Sequence, residues 1–314
     1  MTLGTVLGLR RAGVLGLNCR NSNYTLKYNR RRFYPLVDDK VLCKHRLQER
    51  GLPVPDLIAL IEYNRQARQL ADMLGDHTEF VIKPAHGSGG SGILVITGRR
   101  ADYYLDNDGK LVMPDDLAHH ITNVIGGLYS LGGQPDVAMI ETLVHFDPLF
   151  GQLTYHGVPD IRVIVFKGYP VMAMTRLPTR MSHGKANLHQ GAIGAGIDLA
   201  TGITFGGVSG NRLVTEHPDT GYRIEGFRVP HWAHIVSMAA QCYEAVELGY
   251  LGVDVVLDRD LGPLILELNA RPGLNIQLAN RSGLRGRLDA VEALGARQDT
   301  PEQRVGRACR VFGD

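Results

Sequence analysis

Apolar positions recur at strand spacing in some windows of this chain and at helix spacing in others. Residues Glu79 to Lys83 (EFVIK) and Gly92 to Thr97 (GILVIT) are β-rich runs on either side of HGSGGSG, which predicts a hairpin with a long tip. VAMIETL predicts the strand that ends this half. After Pro159, DIRVIVF and YPVMAMTRL are joined by Lys167-Gly168, a two-residue hairpin turn, and LGVDVVLD pairs with PLILELN across DRDLG. Helix spacing predicts helices over Asp39 to Gly51, Asn64 to Gly75, PDDLAHHITNVIGGLYSL and PHWAHIVSMAAQCYEAVELG. In the third, a proline and two aspartates sit where a helix N-terminus favours them. The prolines of LPVPDLIAL hold the chain extended, and HQGAIGAGIDLATG reads as a glycine-rich connection. Both ends are weakly patterned. Met1 to Asp38 joins a short apolar start to the polar, basic and aromatic NSNYTLKYNRRRFYPLVDD, and Arg281 to Asp314 reads as a tail or a surface helix. Two sheets with intervening helices predict an α+β protein with a cleft between two lobes.

Composition narrows this picture. The chain has 314 residues, 44% hydrophobic and 21% charged, with no compositional break, so the lobes are expected to form one unit. A net charge of +2 is too small for bulk nucleic-acid binding, and no nucleic-acid partner is expected. Charge is uneven, however: Arg10, Arg11, Arg20, Lys27, Arg30, Arg31 and Arg32 precede the first acid, Asp38. The four cysteines have no metal or C-x-x-C spacing and read as reduced thiols of a cytoplasmic protein. Arginines interrupt the apolar start too soon for a membrane span, so no membrane insertion is expected. A homo-oligomer is compatible with all of this.

Asp254, Glu267 and Asn269 are the first chemical candidates. Glu267 and Asn269 lie two apart on one strand and share a face, with Asp254 on the preceding strand, so three hard oxygen ligands can converge on magnesium, or on manganese in its place. A strand showing carboxylates to solvent has the same pattern, but Ala270-Arg271-Pro272-Gly273 ends this one abruptly. The second candidate is VIKPAHGSGGSGI, in which Lys83 ends a strand and His86, Gly87, Ser88, Gly89, Gly90, Ser91 and Gly92 follow. A glycine backbone folds its N–H groups around a phosphate, and the lysine adds a point charge. A mobile hairpin tip is the alternative. Neither a Walker A loop nor G-x-G-x-x-G is present.

In order, Lys44, Lys83 with its loop, Glu141 in MIETLV, Asp160-Ile161-Arg162, Arg176, Asn187-Leu188-His189-Gln190-Gly191, Asp254 and Glu267-Leu268-Asn269 with Pro272-Gly273 resemble the ATP-grasp superfamily. The similarity is to its ribosomal-protein glutamate ligase (RimK) type and the alpha-L-glutamate ligase-like group, over roughly Asp39 to Ala279. The resemblance implies an ATP-grasp fold of two α+β lobes with the nucleotide cleft between them and a reduced N-terminal domain. The implied division is a basic segment at 1–38, an N-terminal lobe at 39–140, a C-terminal lobe at 141–280 and a tail at 281–314. It further implies that Lys44, Lys83 and the loop contact ATP phosphates and that Glu141, Thr142, Leu143 and Val144 line the adenine pocket. Asp254, Glu267 and Asn269 would hold magnesium, and Arg176, Asn187 and Arg162 would act where an acyl phosphate forms. Asp160, Arg162 and Gly273 would meet substrate, with Asp160 and Arg162 forming an internal ion pair that either orients Arg162 toward the substrate carboxylate or is purely structural.

Two features depart from those relatives. Only about forty residues precede Lys44 in place of a Rossmann-like domain, and Asn21 to Pro35 reads first as a solvated basic face and alternatively as an anion-receiving arm in that domain's stead. Arg271 stands where a small residue is common, and its guanidinium beside the expected metal site would either bind a substrate carboxylate or pair with a nearby acid. The implied activity is a ligase joining an amino acid, with glutamate as first choice, to an amine, peptide or protein acceptor. A ligase of dipeptide or D-alanine type, or a regulatory nucleotide-binding protein with an inactive grasp, are the alternatives.

Overall fold

A computed structural model describes residues 3–87 and 89–313. Ser88, one of the expected loop residues, lies outside them. The chain forms two compact units, one of Asp39–Lys44 with Val54–Val144 and a larger one of Met1–Asp38, His45–Pro53 and His145–Asp314. The boundary after Val144 follows the strand of Glu141 rather than preceding it, and the second boundary falls inside helix α1 (Lys40–Glu49).

The smaller unit is built on a six-stranded antiparallel sheet. Its strands are β1 (Leu57–Ile61), β2 (Phe80–Pro84), β3 (Leu94–Arg100), β4 (Tyr103–Asp106), β5 (Leu111–Val112) and β6 (Ala138–Thr142), ordered β1-β6-β2-β3-β4-β5. The β2–β3 hairpin forms as its sequence predicts. Helix α2 (Pro114–Ile125) starts with proline in its first turn and buries Leu117, Ile121 and Val124, a spacing of four and three that presents one face, against Phe80, Ile82, Ile96 and Ile140. The helix expected over Asn64 to Gly75 is instead two short pieces, Asn64–Ala67 and Leu70–Leu74, with Gln69 at φ −100° and ψ 14° between them. The interruption lets Ala67, Leu70 and Leu74 all reach the core.

The larger unit carries seven strands. They are β7 (Asp160–Phe166), β8 (Tyr169–Leu177), β9 (Ile193–Ile197), β10 (Thr204–Ser209), β11 (Arg212–Val214), β12 (Tyr250–Asp258) and β13 (Gly262–Asn269), ordered β11-β10-β9-β8-β7-β12-β13. Lys167 and Gly168 turn the β7–β8 hairpin with φ of +50° and +80°, the positive pair a tight primed turn needs. Helix α3 (Trp232–Val246) packs on β7, β8 and β12.

The glycine-rich stretch read as a connection proves to contain β9. A Cβ on Gly194 would lie 2.8 Å from Leu188, and one on Gly196 would lie 2.8 Å from the Ala279 carbonyl oxygen. These glycines admit the close approach of α4 (Ile276–Ala279). The C-terminal stretch is not a loose tail either. Helices α5 (Arg285–Ala293) and α6 (Pro301–Phe312) bury Leu288, Val291, Ala308 and Phe312, and the Arg304 guanidinium donates to the Gly168 carbonyl.

The basic N-terminal segment belongs to the larger unit. The Asn29 side chain donates to the Tyr250 and Ala270 carbonyls and accepts from the Tyr250 N–H, while Arg20 donates to the Pro272 carbonyl. Tyr24 and Tyr28 pack edge-on against Phe166 and hydrogen-bond Asp289 and Glu292 of α5.

Candidate active site

In the smaller unit, register decides which charges meet. Lys83 of β2 lies opposite Met139 of β6, and Val81 lies opposite Glu141, so Lys83 and Glu141 are diagonal neighbours on one face. Lys44, from α1, reaches the same carboxylate: its Nζ is 2.7 Å from Glu141 Oε1, and Lys83 Nζ pairs with Oε2. Oε1 accepts no hydrogen bond of regular geometry, so the Lys44 contact is Coulombic, and Lys44 donates instead to the Pro55 carbonyl. All three side chains are buried. Burial pushes the Glu141 carboxyl up, but Lys83 and Lys44 outweigh it and hold it below its ordinary value. Burial dominates at Lys44 and lowers it. Two ammonium groups against one carboxylate leave the cluster with one positive charge in surplus.

Glu141, expected at the adenine, is thus a counter-ion for both lysines. Thr142 exchanges hydrogen bonds with the Asp56 backbone, and Leu143 and Val144 continue half-buried beyond β6.

The glycine loop is tied down at its base. His86 turns to Asp136, whose buried carboxylate meets the His86 Nδ1 at 2.8 Å and accepts its backbone N–H at 3.1 Å, and His86 Nε2 is 3.7 Å from Asp39. Lys40 donates to the Gly87 and Ala85 carbonyls at 2.5 and 3.2 Å. Gly89, Gly90 and Gly92 have positive φ, and a Cβ on Gly92 would strike the Tyr129 ring. Ser91 is exposed. Asp39, Lys40 and Asp136 were not singled out in the sequence. Only Asp39 carried a local signal, as the helix-capping acid that accepts from the Val41 and Leu42 N–H groups.

In the larger unit, register assembles a row of charges across four strands. Asp160 lies opposite Arg176, Arg162 opposite Asp254, and Asp254 opposite Glu267, with Asn269 two residues on. The ion pairing differs from the expected Asp160–Arg162 pair. Arg162 forks onto Asp254 at 2.7 and 2.5 Å, and Arg176 forks onto Asp160 while also donating to Asp254 Oδ2 at 2.8 Å. Residues two apart on a strand sit side by side, whereas cross-strand partners face each other, so each arginine takes the acid of the adjacent strand.

Asn269 Nδ2 donates to both Asp254 Oδ2 and Glu267 Oε1 at 3.2 Å. Burial raises Glu267, and the neighbouring Asp254 raises it further. Burial likewise opposes ionisation of Asp254, but Arg162 and Arg176 hold that carboxyl well below the usual range. Asp160 is pushed up to about 6 by burial, with Arg176 opposing and Asp254 reinforcing.

With all three carboxyls ionised, this cluster carries one negative charge in surplus over its two guanidiniums, and the upward push on Glu267 reflects burial first and that surplus second. Glu267, whose carboxylate no guanidinium neutralises, and the Asn269 amide oxygen are hard donors that suit magnesium, with Asp254 already shared between two arginines. No three His, Cys, Asp or Glu side chains gather as a metal cluster among the described residues, so the set depends on Asn269 as its third member.

Asn187 does not join this row. Its side chain accepts from the His189 N–H and caps the short turn Leu188–Gln190. Arg271 stacks over the Tyr34 ring at 4.9 Å. Gly273 has open space around its Cα, while Pro272 packs so closely on Gly252 that a Cβ there would lie 2.6 Å away.

An α+β chain with two antiparallel sheets, a lysine-bearing hairpin with a glycine loop, and an E-x-N strand beside an aspartate has the ATP-grasp fold. It belongs to the family of sugar-transfer associated ATP-grasp proteins, which matches residues 19–293. Among solved structures it is similar to the ATP-grasp ligase PsnB complexed with minimal precursor, with 16% identity and a TM-score of 0.48 over 86% of this chain and 63% of that one. It is also similar to the D-cycloserine synthetase DcsG, with 15% identity and a TM-score of 0.46 over 88% of this chain and 71% of that one. A third is the D-alanine--D-alanine ligase from Bacillus anthracis, with 17% identity and a TM-score of 0.43 over 89% and 70%. The chain spans less than two thirds of the PsnB chain. None of the curated proteins compared with it matches. No helix among the described residues is long and apolar enough to cross a membrane, and none of the four cysteines is in a disulfide.

Proposed function

We propose that this protein is an ATP- and magnesium-dependent ligase that activates a carboxylate as an acyl phosphate and joins it to an amine. The observation that carries the reading is the pair of buried clusters with opposite residual charge. Lys44 and Lys83 exceed Glu141 by one positive charge, and Asp160, Asp254 and Glu267 exceed Arg162 and Arg176 by one negative charge. A buried uncompensated charge costs several kcal/mol, on the order of the penalty for an unpaired ion, so each cluster favours a ligand that neutralises it. A polyphosphate satisfies the first and a divalent cation the second.

In this reading Lys44 and Lys83 receive nucleotide phosphates and the glycine loop supplies N–H donors. Asp254, Glu267 and Asn269 hold the metal, which when bound offsets charge on the transferring phosphoryl group. Arg176 and Arg162 are held in fixed orientation by Asp160 and Asp254, ready to offset negative charge on the substrate carboxylate. The carboxylate oxygen displaces ADP from the γ-phosphorus, and the amine then displaces phosphate from the acyl carbon, releasing its proton. Exclusion of water preserves the intermediate meanwhile. The amino-acid donor, with glutamate the first to test, and the amine, peptide or protein acceptor belong to the same proposal. So does a cytoplasmic site of action.

A panel of single amino acids with ATP and magnesium, read as inorganic phosphate release, tests the reading. Release that depends on one acid supports it. Nucleotide binding without release for any acid or amine mixture would favour a regulatory protein.

A further inference from the structure

The segment that carries Arg30, Arg31 and Arg32 is fixed against the end of β13. Asn29, just before it, donates to the Ala270 carbonyl at 3.1 Å, and Tyr34, just after it, lies under the Arg271 guanidinium at 4.9 Å. Arg20 adds a third tie, donating to the Pro272 carbonyl at 2.8 Å. The three consecutive arginines are therefore bracketed by contacts to residues 270 and 271, immediately past Asn269.

Some exposed arginines elsewhere in the chain pair with carboxylates, Arg46 with Glu49, Arg223 with Glu225, Arg285 with Asp289 and Arg297 with Asp299, and others, such as Arg50, Arg65 and Arg212, form no ion pair among the described residues. What sets the segment after Asn29 apart is that its arginines are consecutive and anchored on both sides. Arg30, Arg31, Arg32 and Arg271 are exposed, and among the described residues none of them forms an ion pair. Like charges gathered on one short anchored stretch repel one another, and the Asn29 and Tyr34 contacts on either side hold that stretch to residues 270 and 271.

We propose that Arg30, Arg31, Arg32 and Arg271 form a receiving surface for the oxyanion groups, carboxylate or phosphate, of an acidic acceptor substrate. Guanidinium is the side chain suited to this task, because its planar fork of donors matches both oxyanions and is weakly hydrated. The backbone ties of Asn29 and Arg20, and the stacking of Arg271 on Tyr34, order the surface before the ligand arrives, which lowers the entropy cost of binding. The proposal rests on the ligase reading for its role as acceptor site, while the binding itself is measurable without turnover.

The experiment titrates the full-length protein by calorimetry with two probes, tetraglutamate and inorganic tripolyphosphate. Both titrations hold free magnesium fixed and a non-hydrolysable ATP analogue in saturating amount, so that nucleotide contacts are already filled. Wild type is compared with Arg31→Gln/Arg32→Gln/Arg271→Gln and with Arg10→Gln/Arg11→Gln, a basic pair outside the surface. The expected result is that wild type binds at least one probe and the triple variant binds it at least tenfold more weakly. The affinity for the ATP analogue stays the same and the Arg10/Arg11 variant matches wild type. Preference for tetraglutamate identifies a carboxylate-bearing acceptor, and preference for tripolyphosphate a phosphorylated one. Binding of neither probe by wild type, equal binding by the triple variant, or an equal loss in the Arg10/Arg11 variant would overturn the proposal. Failure of wild type to bind the ATP analogue in a separate titration would instead count against the ligase reading.

Discussion

Glu141→Gln isolates the electrostatics of the smaller unit, because it removes a charge at nearly constant volume and leaves two buried ammonium groups facing a neutral amide. Removing one partner of a buried ion pair costs about 3–5 kcal/mol. A second route gives the same ceiling. The variant can escape by deprotonating Lys44, whose ordinary value is 10.5, and at about 1.4 kcal/mol per pH unit that costs roughly 5 kcal/mol at pH 7. The pH dependence has a definite sign. Lys83 and Lys44 hold the Glu141 carboxyl below 4.5, so its contribution is fully present above pH 4.5 and is lost as the pH falls through its lower native value. In the variant the lysines shed protons more readily in the folded state, so its stability rises with pH toward 10.5 and the gap to wild type closes. Hydrogen exchange over residues 138–142 reads this locally, since Trp232 reports only the larger unit. A loss under about 1 kcal/mol, or a gap that is flat from pH 7 to 10, would refute the buried-triad argument.

Lys83→Met is expected to abolish nucleotide-dependent turnover while far-UV circular dichroism stays unchanged. Full turnover would remove Lys83 from the phosphate site. Asp254→Asn removes the carboxylate that accepts the Arg162 fork and one Arg176 N–H, and is expected to cost about 3–5 kcal/mol in urea unfolding of the larger unit, followed by Trp232 fluorescence. A cost near zero would mean that Arg162 and Arg176 find other partners. Gly196→Ala places a methyl 2.8 Å from the Ala279 carbonyl and is expected to cost about 1–3 kcal/mol, seen as a lower Tm. An unchanged Tm would show that α4 can retreat from β9.

Strand and hairpin positions were legible where local chemistry sets them, as at Lys167-Gly168 and in the β12–β13 pair. The residues of the candidate site were legible as types and spacings, but their partners were not. Whether Arg162 takes Asp160 or Asp254 depends on the register of β7 against β12, which no local pattern encodes. Strand β9 escaped notice because Gly194 and Gly196 answer to the close approach of α4 rather than to strand propensity. Likewise, His86 reads locally as a loop residue, and only the fold brings Asp136 and Asp39 to it. The N-terminal segment reads as polar and weakly patterned. Its order comes from Asn29, Arg20 and the tyrosines, each bonded to residues more than two hundred positions away.

The acyl phosphate is the central claim, and oxygen transfer tests it most directly. The protein is supplied with ATP, magnesium, an amine mixture and the acid that supports phosphate release, labelled with 18O in its carboxylate. Attack of that carboxylate on the γ-phosphorus predicts that one labelled oxygen appears in each released phosphate, and that Glu267→Ala releases none. Phosphate carrying no label, or release of pyrophosphate with AMP in its place, would contradict the account.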